Sequence, residues 1–287
     1  MTQAKRAKIA KYASKTAAIA AAAVITFIIL FPLLWIVPSA FKPRSELFSI
    51  PNHFFPQHAT LDNFSAVFTM TLNGYSYTRS LFVTAAVAAA STILALSVNV
   101  VAGYAFARVE FRSRRILWIY FIVSMFVPGI TIQLTSIRVV SALGMINTPW
   151  VLILPGAANS YQIFFFRQFF LGIPSSIEEA ATIDGCSRFR CFLNIALPIS
   201  VTPLIVLGVG HFMGSYNNYI WPVLTVSDNV NLTQVMQIIK LIESSLVSRY
   251  GYGIVIAATL ISVLVPIAIF AVFQKKIIAG IAVTGLK

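Results

Sequence analysis

Acidic side chains are scarce in this chain, and three of its eight carboxylates lie together. Glu178, Glu179 and Asp184 occupy a short segment between two long apolar runs. Carboxylates can act as general acids and bases, and they also contact basic surfaces of other proteins. An intramembrane enzyme would need such acids, a His cluster or an activated nucleophile within the apolar runs. Those runs contain essentially no carboxylate, so we do not expect this chain to be an enzyme.

The segment that carries the three acids has the signals of a short, capped helix. Ser175 and Ser176 each precede a Glu by three residues, which is the capping-box pattern. Gly185 follows, and Gly accepts the left-handed conformation in which many helices end. We therefore predict a helix over residues 176–184, too short to cross a membrane. Two alanines share one face of it, so another protein can approach closely, or the helix simply packs on the rest of the chain.

A second set of candidate residues is polar but uncharged and lies inside apolar runs. Polar groups at membrane depth are costly and face either a pathway or the interior of a helix bundle. Amide side chains both donate and accept, which suits sugar hydroxyls, although interhelical hydrogen bonds are the alternative. The candidate pathway residues are Asn159, Tyr161, Gln162, His211, Tyr216, Asn217, Asn218 and Trp221.

Several other kinds of site find no support in the sequence. His53 and His58 have no third ligand spaced near them, and Cys186 and Cys191 have no second cysteine pair, so we expect no metal site. The phosphate-binding pattern G-x-x-x-x-G-K-[ST] does not occur, so we expect no cofactor on this chain. The net charge of +13 comes from short basic runs between apolar segments, which is typical of membrane proteins and not of nucleic-acid partners.

The elements that position these residues are predicted to be membrane-spanning helices. Hydrophobic residues make up 58% of the chain and charged residues only 10%, against about 25% in soluble domains. A span needs about 20 apolar residues. Six runs qualify, which predicts an all-α integral membrane protein with six spans near residues 16–41, 80–107, 116–137, 148–166, 198–227 and 250–274. We divide the chain into residues 1–15 (cytoplasmic), 16–41 (first span), 42–78 (outer loop), 79–276 (core, with the acidic segment at 172–198) and 277–287 (cytoplasmic tail).

The distribution of Lys and Arg orients these spans. Fifteen of the 21 basic residues lie at the N-terminus, in residues 108–115 and 167–190, and in the C-terminal tail. An excess of Lys and Arg marks the cytoplasmic side, so we predict that both termini are cytoplasmic. Arg138 lies at the outer end of the third span, where it either attracts an acidic substrate or extends to the interface.

The spacing around the short helix resembles that of a known family. This segment looks like the cytoplasmic signature of binding-protein-dependent ABC importer permeases. It has an E-A-A triplet and an Asp-Gly pair, followed by nine further residues and I-x-L-P. Other stretches are similar to the carbohydrate, maltose-type group, and within it to the second maltose permease subunit. The resemblance covers nearly the whole chain after residue 16, and Thr135 and Arg138 depart from the family pattern. The matching positions are Glu179-Ala180-Ala181, Asp184-Gly185, Ile195-x-Leu197-Pro198, Leu143-Gly144, Asn147-Thr148, residues 216–222, Gln274 and Gly280.

The resemblance implies a type I ABC importer permease fold in a bacterial inner membrane. The short helix would be a coupling helix that docks in a cleft of a cytoplasmic ATPase subunit, where Glu179 would pair with a basic group. The implied partners are a second permease in a pseudo-twofold heterodimer, two ATPase subunits that bind ATP and Mg, an extracytoplasmic solute-binding protein and the lipid membrane. The implied coupling residues are Glu178, Glu179, Ala180, Ala181, Asp184 and Gly185.

The function expected from this resemblance is carbohydrate import. The cargo would be an oligosaccharide, and Arg138 keeps an acidic one open. The alternative is another small solute such as glycerol phosphate or an amino acid, although the aromatic-Asn-Trp-Pro stretch favours sugar. A channel is disfavoured, because the signature has no role without an ATPase.

Overall fold

The computed structural model describes residues 3–70 and 74–284, and every regular element in these ranges is a helix. This confirms the predicted all-α class. Two short non-α turns accompany the α-helices, a π-helical turn at Phe192–Ala196 and a 3₁₀ turn at Val230–Leu232. The α-helices, in chain order, are α1 (Gln3–Ala40), α2 (Arg44–Leu47), α3 (Asp62–Thr69), α4 (Tyr77–Arg108), α5 (Arg114–Ser124), α6 (Gly129–Ala142), α7 (Trp150–Ile153), α8 (Ser160–Leu171), α9 (Ser175–Ile183), α10 (Arg188–Cys191), α11 (Leu197–Ile199), α12 (Val201–Tyr216), α13 (Ile220–Thr225), α14 (Val235–Tyr250) and α15 (Gly253–Thr284).

Three of these helices, α1, α4 and α15, are long and apolar enough to cross a membrane. Two bent pairs raise the number to five if each pair is one span: α5 with α6 at 110°, and Arg188–Ile199 with α12 at 74°. The five correspond to five of the six predicted spans. The remaining one, predicted near residues 148–166, consists of the two shorter helices α7 and α8, which are separated by residues 154–159.

Two helices extend well beyond their predicted spans: α1 begins at Gln3, before the span predicted at residues 16–41, and α15 ends at Thr284, after the one predicted at 250–274. The first helix continues through Pro32 and Pro38 and ends at Ala40, within the described part of the chain. A short helix, α3, lies within residues 42–78, the segment predicted as the outer loop. Predictions that fall on residues 1–2, 71–73 and 285–287 lie outside the described residues.

One compact unit comprises Met1–Thr69 and Ile242–Ile261. Polar contacts order the loop that follows α1 in this unit. The buried Lys42 ammonium donates to Asn52 Oδ1 at 3.0 Å and to the carbonyl of His53, and it lies 5.0 Å from the centre of the Trp35 ring. Asn63 Nδ2 donates to the carbonyls of Ala40 and Lys42 at 2.9 and 2.8 Å. These bonds tie α3 to the end of α1.

The other unit comprises Met70–Leu241 and Ser262–Lys287. Its core is formed where α4, α8 and α12 meet, and small residues allow a close approach between α4 and α8. A Cβ at Gly103 on α4 would lie 2.4 Å from Cβ of Phe166 on α8, so only glycine fits there. The buried core residues are Val100, Tyr104, Ala107, Phe166, Phe170, Phe192, Ala196 and Leu207.

The helix α14 lies between the last two predicted spans, in a segment for which no helix was predicted. Buried Val235, Ile238, Ile242 and Leu246 recur at intervals of three and four residues, which is the apolar face of an amphipathic helix.

Candidate functional site

An open cavity of about 650 Å³ lies within the unit that contains α4, α8 and α12. Its size falls in the range of small-molecule sites, about 300–1,000 Å³. Most of its polar lining consists of hydroxyl, amide and aromatic side chains, with aliphatic residues between them. The polar and aromatic lining residues are Ser91, Gln133, Ser136, Asn159, Tyr161, Gln162, His211, Ser215, Asn218 and Trp221.

The cavity is lined where helices are interrupted. Pro155 and Gly156, in the break between α7 and α8, contribute to its wall. Asn159 ends this break and caps α8, because its Oδ1 accepts from the backbone N–H of Gln162 at 3.0 Å. Asn218 lies in a second break, between α12 and α13. Irregular backbone at membrane depth is tolerated where it lines a cavity, and both breaks contribute to the wall of this one.

A chain of hydrogen bonds crosses the cavity wall from α4 to α12. The Asn159 backbone N–H donates to Asn99 Oδ1 at 2.9 Å, and Asn99 Nδ2 donates to Gln162 Oε1 at 2.8 Å. Gln162 Nε2 lies 3.3 Å from His211 Nδ1, and His211 Nε2 lies 3.0 Å from Ser91 Oγ. Each side chain in this series of hydrogen bonds therefore fixes the orientation of the next one.

The lining is electrically neutral in the part of the chain that the structure describes. None of the residues around the cavity is Lys, Arg, Asp or Glu. Arg138, on α6, is exposed and lies outside the lining, although Ile132, Gln133 and Ser136 of the same helix contribute to it. A neutral, hydroxyl-rich molecule matches this surface better than a charged one, because a buried charge needs a partner.

The structure brings together six of the eight residues that the sequence singled out for a pathway. Asn159, Tyr161, Gln162, His211, Asn218 and Trp221 line the cavity.

Tyr216 and Asn217 lie elsewhere. The Tyr216 side chain is fully buried, and its hydroxyl donates to the carbonyl of Ser262 at 2.9 Å. Asn217 is exposed and outside the lining. Successive residues at the end of a helix point in different directions, so neighbours of Asn218 do not share its environment.

Four polar lining residues are outside the eight predicted ones: Ser91, Gln133, Ser136 and Ser215. Ser91 lies on α4, and Gln133 and Ser136 lie one turn apart on α6. The signal that could have identified the α6 pair is the spacing of two polar residues at i and i+3 in an uncharged run, which places them on one face.

The predicted short helix is confirmed as α9, Ser175–Ile183. Its end follows the predicted mechanism: Gly185 has φ +81°, its N–H donates to the carbonyl of Thr182, and the Cys186 N–H donates to the carbonyl of Ala181. This pair of bonds is the Schellman motif.

The predicted capping box is wrong. Pro174 is the N-cap, with no side-chain hydrogen bond, and Ser175 is already the first helical residue. Proline has a fixed φ suited to the entry of a helix, and the helix begins directly after it. The serine side chains are therefore inside the first turn and not at the cap.

The two adjacent glutamates of α9 have different surroundings. Glu178 Oε1 forms an ion pair with Arg108 Nε at 3.2 Å, and Glu178 Oε2 accepts from the Tyr104 hydroxyl at 3.5 Å. Arg108 also donates to the carbonyls of Phe170 and Ile173 at the end of α8. Glu178 thus fastens α9 to the ends of α4 and α8.

The outer face of α9 is exposed to solvent in the described residues. Glu179, Ala180, Asp184 and Gly185 are exposed, and Ala181 is partly buried. Ile183 is 87% exposed, and sequence reasoning did not single it out. An exposed isoleucine beside two carboxylates is a suitable anchor for a protein partner.

Comparison with known proteins identifies relatives along most of the chain. Residues 99–281 match the family model described as binding-protein-dependent transport system inner membrane component. The arabinooligosaccharides transport system permease protein AraQ of Halalkalibacterium halodurans is 30% identical over 270 residues, 92% of this chain and 94% of that relative. The sn-glycerol-3-phosphate transport system permease protein UgpE of Yersinia enterocolitica is 30% identical over 257 residues, 88% of this chain and 91% of that relative.

A solved structure has the same fold. It is the crystal structure of a bacterial ABC transporter involved in the import of the acidic polysaccharide alginate. The TM-score is 0.77, the identity is 19%, and the match covers 96% of this chain and 98% of that one. At this identity the likeness concerns the fold alone.

Proposed function

Because this chain belongs to the family of binding-protein-dependent transport system inner membrane components, we propose that it conducts a neutral oligosaccharide through the cavity between α4, α6, α8 and α12. It is a permease subunit of an ABC importer. Two AraQ proteins, from Halalkalibacterium halodurans and Bacillus subtilis, are named for arabinooligosaccharide transport and support a carbohydrate cargo.

The observation that carries this proposal is the neutral, amide-rich lining of the cavity. Gln133, Asn159, Gln162 and Asn218 supply side-chain amides, which can both donate to and accept from sugar hydroxyls. Tyr161 and Trp221 supply aromatic rings for the apolar faces of sugar rings. The exposed position of Arg138, outside the lining, argues against a role in attracting an acidic sugar.

A second candidate cargo is glycerol phosphate, because UgpE is named for that solute and is also 30% identical. A phosphate would enter a cavity whose lining, in the described part of this chain, contains no cationic side chain. Transfer of an unpaired charge into such a site is costly. The lining therefore favours the carbohydrate.

The short helix α9 is the proposed contact with the ATPase. Its exposed residues Glu179, Ala180, Asp184, Gly185 and Ile183 form the docking surface, and Glu179 pairs with a basic group of the partner. Glu178 and Ala181 face the permease and hold the helix in place.

The complete importer contains further subunits. A second, similar permease completes the pathway as a pseudo-twofold heterodimer, two ATPase subunits bind ATP and Mg, and an extracytoplasmic binding protein delivers the cargo. ATP binding closes the ATPases, draws the short helices together and turns the pathway outward. This is a shift between two states that different contacts favour.

The experiment that tests this function uses the importer purified from its membrane and reconstituted in vesicles. A second permease and a stoichiometric ATPase should co-purify with this chain. Neutral oligosaccharides should stimulate ATP hydrolysis in the presence of the binding protein, whereas uronic-acid oligosaccharides and glycerol 3-phosphate should not. Stronger stimulation by glycerol 3-phosphate than by any neutral sugar would overturn the assignment of the cargo.

A pair of neighbouring asparagines tests the cavity itself. Asn218→Ala removes an amide from the lining and should raise the KM for uptake about tenfold, which corresponds to about 1.4 kcal/mol, near the upper end for one hydrogen bond. Asn217→Ala is the matched control, because that side chain is exposed and outside the lining. Equal effects of the two changes would argue against this cavity as the pathway.

A further inference from the structure

Four arginines lie around the end of α4 and the start of α5, and the connection between these helices also contains one carboxylate, Glu110. The four arginines are Arg112, Arg114, Arg115 and Arg167. In the described residues no acid lies within ion-pair distance of any of the four, whereas the nearby Arg108 is paired with Glu178. This cluster has no role in the function proposed above.

Two of these arginines converge on one acceptor. Arg114 Nε donates to the carbonyl of Phe106 at 3.0 Å, and Arg167 Nε donates to the same oxygen at 3.2 Å. The two Nε atoms therefore lie within about 6 Å of each other, and both side chains are partly buried. Like charges at such a distance repel, so an anion between or beside them would be stabilised.

The first turn of α5 adds to the excess of positive charge. It begins with Arg114 and Arg115, contains no acid, and its N-cap Ser113 makes no side-chain hydrogen bond. The N-terminus of a helix carries a partial positive charge and favours anions. The carbonyls of Phe106 and Ala107 at the end of α4 offset the charge of Arg114, whereas the exposed Arg115 makes no described side-chain hydrogen bond or ion pair. Arg112 and Arg115 add two exposed positive charges in the same segment of the chain.

The surface next to the cluster indicates where the anion comes from. Ile116, Ile119 and Tyr120 on α5 are 73%, 53% and 69% exposed, so an apolar face begins directly beyond the arginines. Trp118 lies under Arg167, whose guanidinium carbon is 4.1 Å from the ring centre, and tryptophan is enriched at the membrane interface. A charged headgroup with acyl chains along α5 fits this arrangement.

We propose that Arg112, Arg114, Arg115 and Arg167 bind the phosphate group of an anionic phospholipid at the cytoplasmic surface of the membrane. The side of the membrane rests on the proposed function, because Arg108 places the cluster beside α9. The cytoplasmic leaflet attracts basic groups, and each Lys or Arg near its surface contributes about a fivefold preference for anionic lipid.

The test measures quenching of Trp118 by brominated lipids in the reconstituted importer. A Trp118→Phe importer is measured in parallel, and the difference isolates this residue from other tryptophans. Brominated phosphatidylglycerol should quench Trp118 at a mole fraction at least tenfold lower than brominated phosphatidylcholine. Equal quenching by both lipids, or quenching by neither because another subunit covers the surface, would overturn the proposal.

Two pairs of substitutions separate the site from general charge effects. Arg112→Gln with Arg115→Gln should abolish the preference for phosphatidylglycerol, since both side chains are exposed and neither supports the fold through a described hydrogen bond. Arg188→Gln with Arg190→Gln removes the same charge from exposed positions outside the cluster and should leave the preference intact. Loss of the preference in both pairs would contradict a specific site.

A competition measurement distinguishes lipid phosphate from free phosphate. Inorganic phosphate at 10 mM should not relieve the quenching, compared with chloride at the same ionic strength. Relief by inorganic phosphate alone would mean that the cluster takes a free anion and would overturn the assignment to a lipid. ATP hydrolysis stimulated by the cargo, measured in the same vesicles, shows independently whether the proposed function stands.

Discussion

A single backbone group, the N–H of Asn159, sets the direction of the side-chain hydrogen bonds that run from Asn99 through Gln162 and His211 to Ser91. It can only donate, so Asn99 must turn its oxygen toward it and its NH₂ toward Gln162. Gln162 then presents its own NH₂ to His211 Nδ1, which must accept, and the proton of His211 lies on Nε2, facing Ser91. The backbone N–H of Asn159, the residue that caps α8, thus fixes the tautomer of His211.

The change Gln162→Glu tests this network with almost no change in shape. A carboxylate presents only acceptors, so it would face the acceptor nitrogen of His211 and leave a polar pair unsatisfied. We expect a loss of about 2 kcal/mol in stability, seen as a lower unfolding temperature of the purified permease.

The matched control for that change is Gln168→Glu, the same substitution on the same helix at an exposed position. It should leave the unfolding temperature unchanged. If Gln162→Glu were equally harmless, the hydrogen bonds to Asn99 and His211 would not form a coupled network.

Gly185 is a second residue whose role is decided by one local property, its φ of +81°. A Cβ there would meet nothing within 4 Å, so the cost of a side chain is conformational and not steric. The left-handed conformation costs about 1–2 kcal/mol for a residue with a Cβ. Gly185→Asp should therefore loosen the end of α9 and uncouple ATP hydrolysis from uptake while the permease stays in the membrane.

Gly144→Asp is the control for Gly185→Asp, because Gly144 also has a positive φ, +66°, and open surroundings. It lies at the end of α6, away from α9 in sequence. Uptake and cargo-stimulated ATP hydrolysis should survive this change. Normal coupling in Gly185→Asp would refute a role for the end of α9 in contacting the ATPase.

Two helices link α9 to the cavity. The helix α4 carries Ser91 in the cavity wall, Asn99 bonded to the lining residue Gln162, and Arg108 at its end, where Arg108 holds Glu178. The helix α8 carries Gln162 in the same wall, and its last carbonyls are bound by Arg108. Since Gly103 and Phe166 pack these helices in direct contact, displacement of α9 should move both helices together.

The neighbouring glutamates of α9 allow this linkage to be tested. Glu178→Gln removes a partly buried charge from Arg108 and should weaken the attachment of α9 by about 2 kcal/mol. Backbone amides of residues 175–186 should then exchange hydrogen about 30-fold faster. Glu179→Gln should leave that exchange unchanged in the isolated permease but reduce cargo-stimulated ATP hydrolysis in the complete importer. If the two variants exchange alike, Glu178 does not anchor the helix.

Elements with local signals could be predicted from sequence, and those defined by distant contacts could not. The helix α9 was predicted because Gly185 ends it locally, but its start was misjudged, since serine and glutamate also occur inside a first turn. The break at residues 154–159 escaped prediction because Pro155 and Gly156 matter through the cavity that they line. The partners of Tyr216 and Asn99 lie 46 and 63 residues away in the chain, and no spacing rule specifies them.

At the scale of the whole molecule, composition determines the surroundings that the fold requires. The side chains of α1 from residue 12 to residue 34 are exposed in the described structure, and most are apolar. In water, such a large exposed apolar surface would promote aggregation. The helix therefore requires lipid or another subunit around it, as expected of one part of an importer.

The distribution of basic residues predicts the orientation of the molecule in the membrane. Fifteen of 21 basic residues lie on one side of the predicted spans, and this side includes α9 and both termini. A fluorescent protein fused after Lys287 should therefore mature in the cytoplasm, and alkaline phosphatase fused at the same position should be inactive.

Ile50→Cys, in a background with Cys186 and Cys191 replaced by Ser, is the control for the opposite side, because Ile50 is 98% exposed in the outer loop. It should react with an impermeant maleimide in intact spheroplasts. An active phosphatase after Lys287 would reverse the predicted orientation and would separate α9 from any cytoplasmic ATPase.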